Sequence, residues 1–108
     1  MLDAQTLVLQ LIRLLRPLVA EINRSSPGLG DQLRRAATSV ALNLAEGTRR
    51  IGADKRRVYR IAAAEAQELK AALAVAVAVA WGYLDDRATT SAMELAERVG
   101  ATTYRLAR

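Results

Sequence analysis

Apolar residues recur at helical intervals from the start of the chain. Between Ala4 and Asn23, Leu7, Leu11, Leu14, Leu15, Leu18 and Ile22 form one stripe, and Val8, Ile12 and Val19 widen it. The resulting arc exceeds the ~100° that buries one face of a surface helix. A first helix over about residues 4–23 therefore meets several neighbours, some expected from another subunit. Pro17 removes one backbone hydrogen bond within it and predicts a bend. Ser25-Ser26-Pro27-Gly28-Leu29-Gly30 reads as a turn, because proline fixes φ and the glycines accept unusual backbone angles. A second helix over about 31–46 carries Leu33, Ala37, Val40 and Leu44 at spacings of four and three. Gly47 is expected to end it in the left-handed conformation.

After a loop from Thr48 to Ala53, Asp54 opens a third helix over about 54–84. Val58, Ile61, Ala62, Leu69, Leu73, Ala76, Ala80 and Tyr83 share its main face. Val75, Val77 and Trp81 fall off that face, as Leu42 falls off the seam of the second helix; these four are the expected interface between subunits. The Ala-Val alternation at 74–80 has the period of a strand, but its alanines and helical flanks keep it helical. Asp85, Asp86 and Arg87 make the next turn. Ser91 and Glu94 form a capping box that begins a fourth helix over about 91–107, with Leu95, Val99 and Leu106 as its apolar edge. Gly100 costs about 1 kcal/mol relative to alanine in mid-helix, which implies a close approach there. Short turns between four helices predict an all-α, antiparallel up-down-up-down four-helix bundle, with residues 1–108 as one domain.

That topology fixes where the loops lie, and charge then becomes informative. The loop between the second and third helices shares one end of the bundle with both ends of the chain. Arg49, Arg50, Lys55, Arg56, Arg57 and Arg60 gather there, with Arg105 and Arg108 expected beside them, whereas Asp85 and Asp86 occupy the far end. Lysine plus arginine number 16 against 11 acids, a net charge of +5, and 14 of the 16 are arginine. Arginine presents a planar fork of donors that matches phosphate oxygens in pairs. A clustered basic surface of this kind binds polyanions by releasing their counterions, and RNA is the leading candidate partner. Only Tyr59 and Tyr104 are available there for stacking, so base-specific reading is not expected. The plainer alternative is a solvated arginine face that maintains solubility.

Other chemistries are poorly provided for. The chain has no cysteine and no histidine, which removes thiol nucleophiles, disulfides, Cys/His zinc sites and the usual neutral-pH proton shuttle. Glu46, Glu65 and Glu68 are the candidates for a carboxylate metal site, but di-iron bundles also use Glu-x-x-His pairs, so no metal, no cofactor and no enzymatic activity are expected. Arg35, Ser39, Asn43 and Glu46 line one side of the second helix and, with Glu68, predict a structural polar network in which Arg35 pairs with Glu68 or Glu46. The uncharged run from Ala71 to Leu84 is shorter than the ~18 residues of a spanning helix, and no secretory pattern opens the chain. No membrane segment and a cytoplasmic location are the expectation.

The stretch Asp31 to Gly47, DQLRRAATSVALNLAEG, resembles the signature of the 23S rRNA intervening-sequence proteins, a four-helix-bundle family. Its core, R-x-A-x-S-V-x-x-N-x-A-E-G, fixes polar and apolar types beyond the needs of an amphipathic helix. RRIGADKRRVYRIAAAEAQELKAAL and AWGYLDD continue the likeness through the third helix, so that it covers about residues 29–86. The resemblance implies an antiparallel bundle that assembles as a ring, typically a homopentamer, without established enzymatic activity. It extends to the accessory variability proteins of diversity-generating retroelements, which associate with a reverse transcriptase and nucleic acid. By position, the family-like residues are Arg35, Ser39, Asn43, Glu46, Gly47, Arg50 and Glu68. Gly30, where the family often has Thr or Ser, and Ala64-Glu65, in place of a Gly-Ser pair, depart from the pattern. The expected function is a non-enzymatic oligomeric bundle that binds RNA or a ribonucleoprotein; the alternative is a protein-interaction scaffold or accessory subunit, for example of a reverse transcriptase.

Overall fold

The computed structural model describes residues 3–79 and 86–108, which form four α-helices and no strand: α1 (Ala4–Ser25), α2 (Pro27–Gly47), α3 (Gly52–Val79) and α4 (Asp86–Leu106). Each helix packs on its sequence neighbours, α1 closes the circle against α4, and the diagonal pairs barely touch. This is the antiparallel four-helix bundle that the short turns require. The rod measures 46 × 28 × 17 Å, and its length agrees with the ~1.5 Å rise per residue of its longest helix.

Leucines of α1 and α2 meet small residues of α3 and α4 in the core. Leu7, Leu11, Leu15, Leu18 and Ile22 of α1 and Leu33, Val40 and Leu44 of α2 are buried. Opposite them lie Ala62, Ala66, Ala72 and Ala76 of α3 and Ala92 and Ala96 of α4, interleaved with Leu69, Leu73, Leu95 and Val99. Alternating large and small side chains fill the seam at interior density without forcing rotamers. Ile61 and Leu106, placed on the seams by spacing, are instead partly exposed. Ala80, Trp81 and Tyr83 lie outside the described residues.

The helix ends depart from the expected boundaries for local reasons. Asp3 begins α1, its Oδ1 accepting the Thr6 amide at 2.8 Å. Pro17 leaves α1 continuous, and both it and Arg13, whose carbonyl loses its intrahelical donor, lie on the exposed side. The broad turn expected at 25–30 contracts to Ser26. Its N–H donates to the Ile22 carbonyl at 2.7 Å, while its own carbonyl accepts the amides of Leu29 at 3.1 Å and Gly30 at 3.2 Å. Pro27 then sits at N1, where its missing N–H removes a donor that would have no partner. Gly30 is buried inside α2, with the Asn23 amide filling the space a Cβ would take.

Gly47 ends α2 without a positive φ; the left-handed residue is Gly52, at φ 59°, where α3 begins. α3 thus starts two residues before Asp54, and the Ile51 carbonyl accepts the Lys55 amide at 3.3 Å. α4 starts at Asp86, so Ser91 and Glu94 stand inside the helix and do not cap it. Gly100 faces the Lys70 stem, whose Cδ would lie 3.1 Å from an added Cβ.

Candidate functional site

A cleft at one end of the rod shows which chain segments meet there. Of about 390 Å³, it is lined by Asp3, Ala4 and Gln5 of the α1 start, Leu44 and Thr48 of the α2 end, Tyr59 of α3, and Thr102, Arg105 and Leu106 of the α4 end. The α2–α3 loop and both chain ends therefore share this pole, and the arginines counted along the sequence gather around it.

Within the cluster the six expected cations divide into two kinds. Arg50 reaches Glu46 Oε1 through Nη2 at 2.7 Å and Nε at 3.0 Å, and Asp54 Oδ2 through Nη1 at 2.7 Å. Arg57 donates to Asp54 Oδ1 through Nη2 at 3.0 Å and Nε at 3.1 Å. The hydrogen bonds from Arg50 and then Arg57 hold the Asp54 carboxyl below the usual carboxylate range. In turn, those to Glu46 and Asp54 raise the Arg50 guanidinium above its ordinary value. Arg50 therefore braces the loop between α2 and α3, Arg57 ties down Asp54 within α3, and much of the field of both is compensated locally.

Arg49, Arg56 and Arg60 are exposed and make no ion pair among the described residues. Lys55 lies over the Tyr59 ring, 5.9 Å from its centroid, and Arg108 lies over Tyr104 at 5.6 Å. Arg105, on the rim of the cleft, donates a side-chain hydrogen bond to the Thr102 hydroxyl of its own helix at 3.5 Å and makes no ion pair among the described residues. Uncompensated charge at this pole thus rests mainly on Arg49, Arg56, Arg60, Lys55 and Arg105. The cleft between them carries no periodic signature in the sequence, because its lining comes from short pieces of all four helices and the α2–α3 loop.

The expected polar network takes a different form. Asn43 Nδ2 donates to the Ser39 carbonyl at 2.9 Å and to Ser39 Oγ at 3.2 Å. Arg35, with its side chain 79% exposed, approaches Asp31 Oδ2 at 3.9 Å and neither Glu68 nor Glu46. Glu68 accepts a 3.5 Å hydrogen bond from Gln32 Nε2, and Glu46 binds Arg50. Arg35, Glu65 and Glu68 stand apart around an open cleft of about 460 Å³ between α2 and α3. Exposed charges of this kind carry little desolvation penalty, so nothing compels them to pair across it. Among the described residues no group of acids is placed to hold a metal ion. No described helix is long and apolar enough to cross a membrane.

The four residues expected at a subunit interface also separate. Leu42 is 65% exposed and Val75 52%, but Val77 packs partly against the core and Trp81 lies outside the described residues. The Gln32–Glu68 hydrogen bond sets the antiparallel register of α2 and α3. Leu42 then stands level with about Val58, leaving Val75 roughly 25 Å further along the rod at the helical rise. They belong to different patches. Ile51, 86% exposed, lies in the loop at the arginine-rich end.

Fold and site together define a helical bundle with an open, basic, partly apolar end. The chain belongs to the 23S rRNA-intervening sequence protein family, whose family model matches residues 2–105. No curated protein matches it. The family match spans all four helices and so extends the resemblance seen in the two central ones to the outer pair.

Proposed function

We propose that this protein is a non-enzymatic, oligomeric helical bundle that binds RNA or a ribonucleoprotein through its arginine-rich end. The observation that carries this reading is the set of exposed guanidinium groups, Arg49, Arg56 and Arg60, that no carboxylate pairs with among the described residues. Arginines held in ion pairs stabilise a fold, whereas unpaired ones clustered at one pole attract phosphates and displace their counterions. The family's description ties it to ribosomal RNA intervening sequences and names no reaction, which agrees with a chain that lacks histidine and cysteine. A cytoplasmic location suits such a partner.

Replacing Arg49, Arg50, Lys55, Arg56, Arg57 and Arg60 with glutamine tests the assignment through retention on immobilised RNA at low salt. Loss of retention in a variant that still melts cooperatively is the expected result, and unchanged retention rejects it. Self-association, as a ring of the family's pentameric type, is supported by exposed Leu42 and Val75, and light scattering showing a monomer at micromolar concentration argues against it. A second reading, an interaction scaffold or accessory subunit of a nucleic-acid enzyme such as a reverse transcriptase, is favoured by exposed Leu42 and Ile51 near the basic end. A partner protein that stays bound after nuclease treatment supports that alternative.

A further inference from the structure

We propose that the cleft at the arginine-rich end receives an unpaired nucleobase of the bound RNA, while the phosphates on either side lie on the arginines around it. The inference rests on the RNA-binding reading and specifies how that site works.

The cleft has the size and the lining for such a guest. Its volume of about 390 Å³ falls within the range of ~300–1,000 Å³ typical of small-ligand pockets, which are mostly apolar with a few placed polar groups. Ala4, Leu44, Leu106 and the Tyr59 ring supply apolar walls. The ring is buried and its position is fixed on two sides: it lies so tightly on Gly47 that a Cβ there would overlap it, and Lys55 covers it. A wall held in this way needs no ordering when a flat group enters.

Polar groups on the rim match a base edge better than a phosphate. Thr48 Oγ1 donates to the Ala45 carbonyl at 2.6 Å, and Thr102 Oγ1 to the Arg98 carbonyl at 2.8 Å. With their protons committed, both hydroxyls offer acceptor lone pairs. Asp3 uses Oδ1 to cap α1, and its carboxylate is a further acceptor. Arg105 supplies donors. A nucleobase edge carries both N–H donors and carbonyl or ring-nitrogen acceptors, so it satisfies this mixed set. A phosphate offers acceptors only and is repelled by Asp3. The phosphates belong outside, where exposed Arg49 and Arg60 follow the lining residues Thr48 and Tyr59 in the chain.

The arrangement therefore discriminates unpaired RNA from duplex, whose bases are held in the stack. A direct test uses the full chain and two probes at one moderate salt concentration: a short single-stranded oligoribonucleotide and an abasic ribose-phosphate chain of equal length. Loss of the base is expected to weaken binding at least tenfold, with an unchanged salt slope. Thr102→Trp, which fills the cleft from its rim, is expected to remove the preference for the natural strand over the abasic chain. Equal binding of both probes by the unaltered protein overturns the inference while RNA binding stands. Retained preference for the natural strand in Thr102→Trp overturns it as well, and failure of both probes to bind rejects the RNA reading itself.

Discussion

Gly47 and Asp54 show how much of the basic end depends on single side chains. Gly47 was expected to supply a left-handed residue, yet what it supplies is the absence of a Cβ where the Tyr59 ring packs. Gly47→Ala should therefore destabilise the bundle by about 1–3 kcal/mol through overpacking, in spite of alanine's better helix propensity. Denaturant unfolding measures this directly. In a Tyr59→Ala background the same change should be neutral or stabilising; an undiminished penalty there would show that the ring is not the cause.

Asp54 couples stability to pH. Its folded-state pKa is lowered by the Arg50 and Arg57 hydrogen bonds, so its contribution is present above the unfolded carboxylate value, ~3.9, and fades as pH falls through the folded value. The stability difference between the protein and Asp54→Asn should stay constant above about pH 5 and close below pH 4. The same substitution releases Arg57 and leaves Arg50 held by Glu46 alone, and should tighten RNA binding modestly. Weaker RNA binding by Asp54→Asn would mean that the braced loop geometry matters more than the released charge.

At the scale of elements, the apolar periodicity made the helices legible, and their ends were not. The buried seam of Leu33, Ala37, Val40 and Leu44 follows from spacing alone, because a leucine facing water forfeits about 1.5–3 kcal/mol. Helix ends depend on finer balances. Pro27 is as compatible with N1 of a helix as with a turn, so the hairpin at 25–30 shortens to Ser26. Ser91 and Glu94 satisfy the pattern of a capping box, but the residues before them continue the helix equally well. The left-handed position falls at Gly52 because the backbone turns on past Gly47, the Arg49 and Arg50 amides donating to the Glu46 and Gly47 carbonyls at 3.0 and 3.2 Å, before α3 starts. Gly52→Ala should accordingly cost about 1–2 kcal/mol, the penalty of a Cβ in the left-handed region, and Gly52→Asn less. Equal stability of all three in thermal melts would argue against that conformation. The expected pairing of Arg35 with Glu68 failed at this scale too. Sequence indicates that both flank the α2–α3 interface, but not that the interface opens into a cleft beside Asp31.

For the whole molecule, connectivity assembles the proposed site more than any single motif does. An antiparallel bundle with short turns brings residues 3, 48, 59 and 105 to one cleft, although they are distant along the chain. Locating the arginines at that pole needed only helix order. Separating the braces, Arg50 and Arg57, from the free cations, Arg49, Arg56 and Arg60, required side-chain geometry, since all five lie in one short stretch with Asp54 in reach of several. The same geometry ties Glu46 and Asp54 to the braced loop and leaves the remaining charges for the proposed RNA contact.

The salt dependence of RNA affinity for the unaltered protein and for the triple variant Arg49→Gln, Arg56→Gln, Arg60→Gln tests this division most directly. Each lost phosphate contact should reduce the slope of log K against log salt by about 0.7–1. The account predicts a slope shallower by roughly 2–3 and markedly weaker binding at low salt, while the paired substitution Arg50→Gln, Arg57→Gln lowers stability and changes the slope little. An unchanged slope and affinity in the triple variant, or a larger loss from the Arg50 and Arg57 pair, contradicts it.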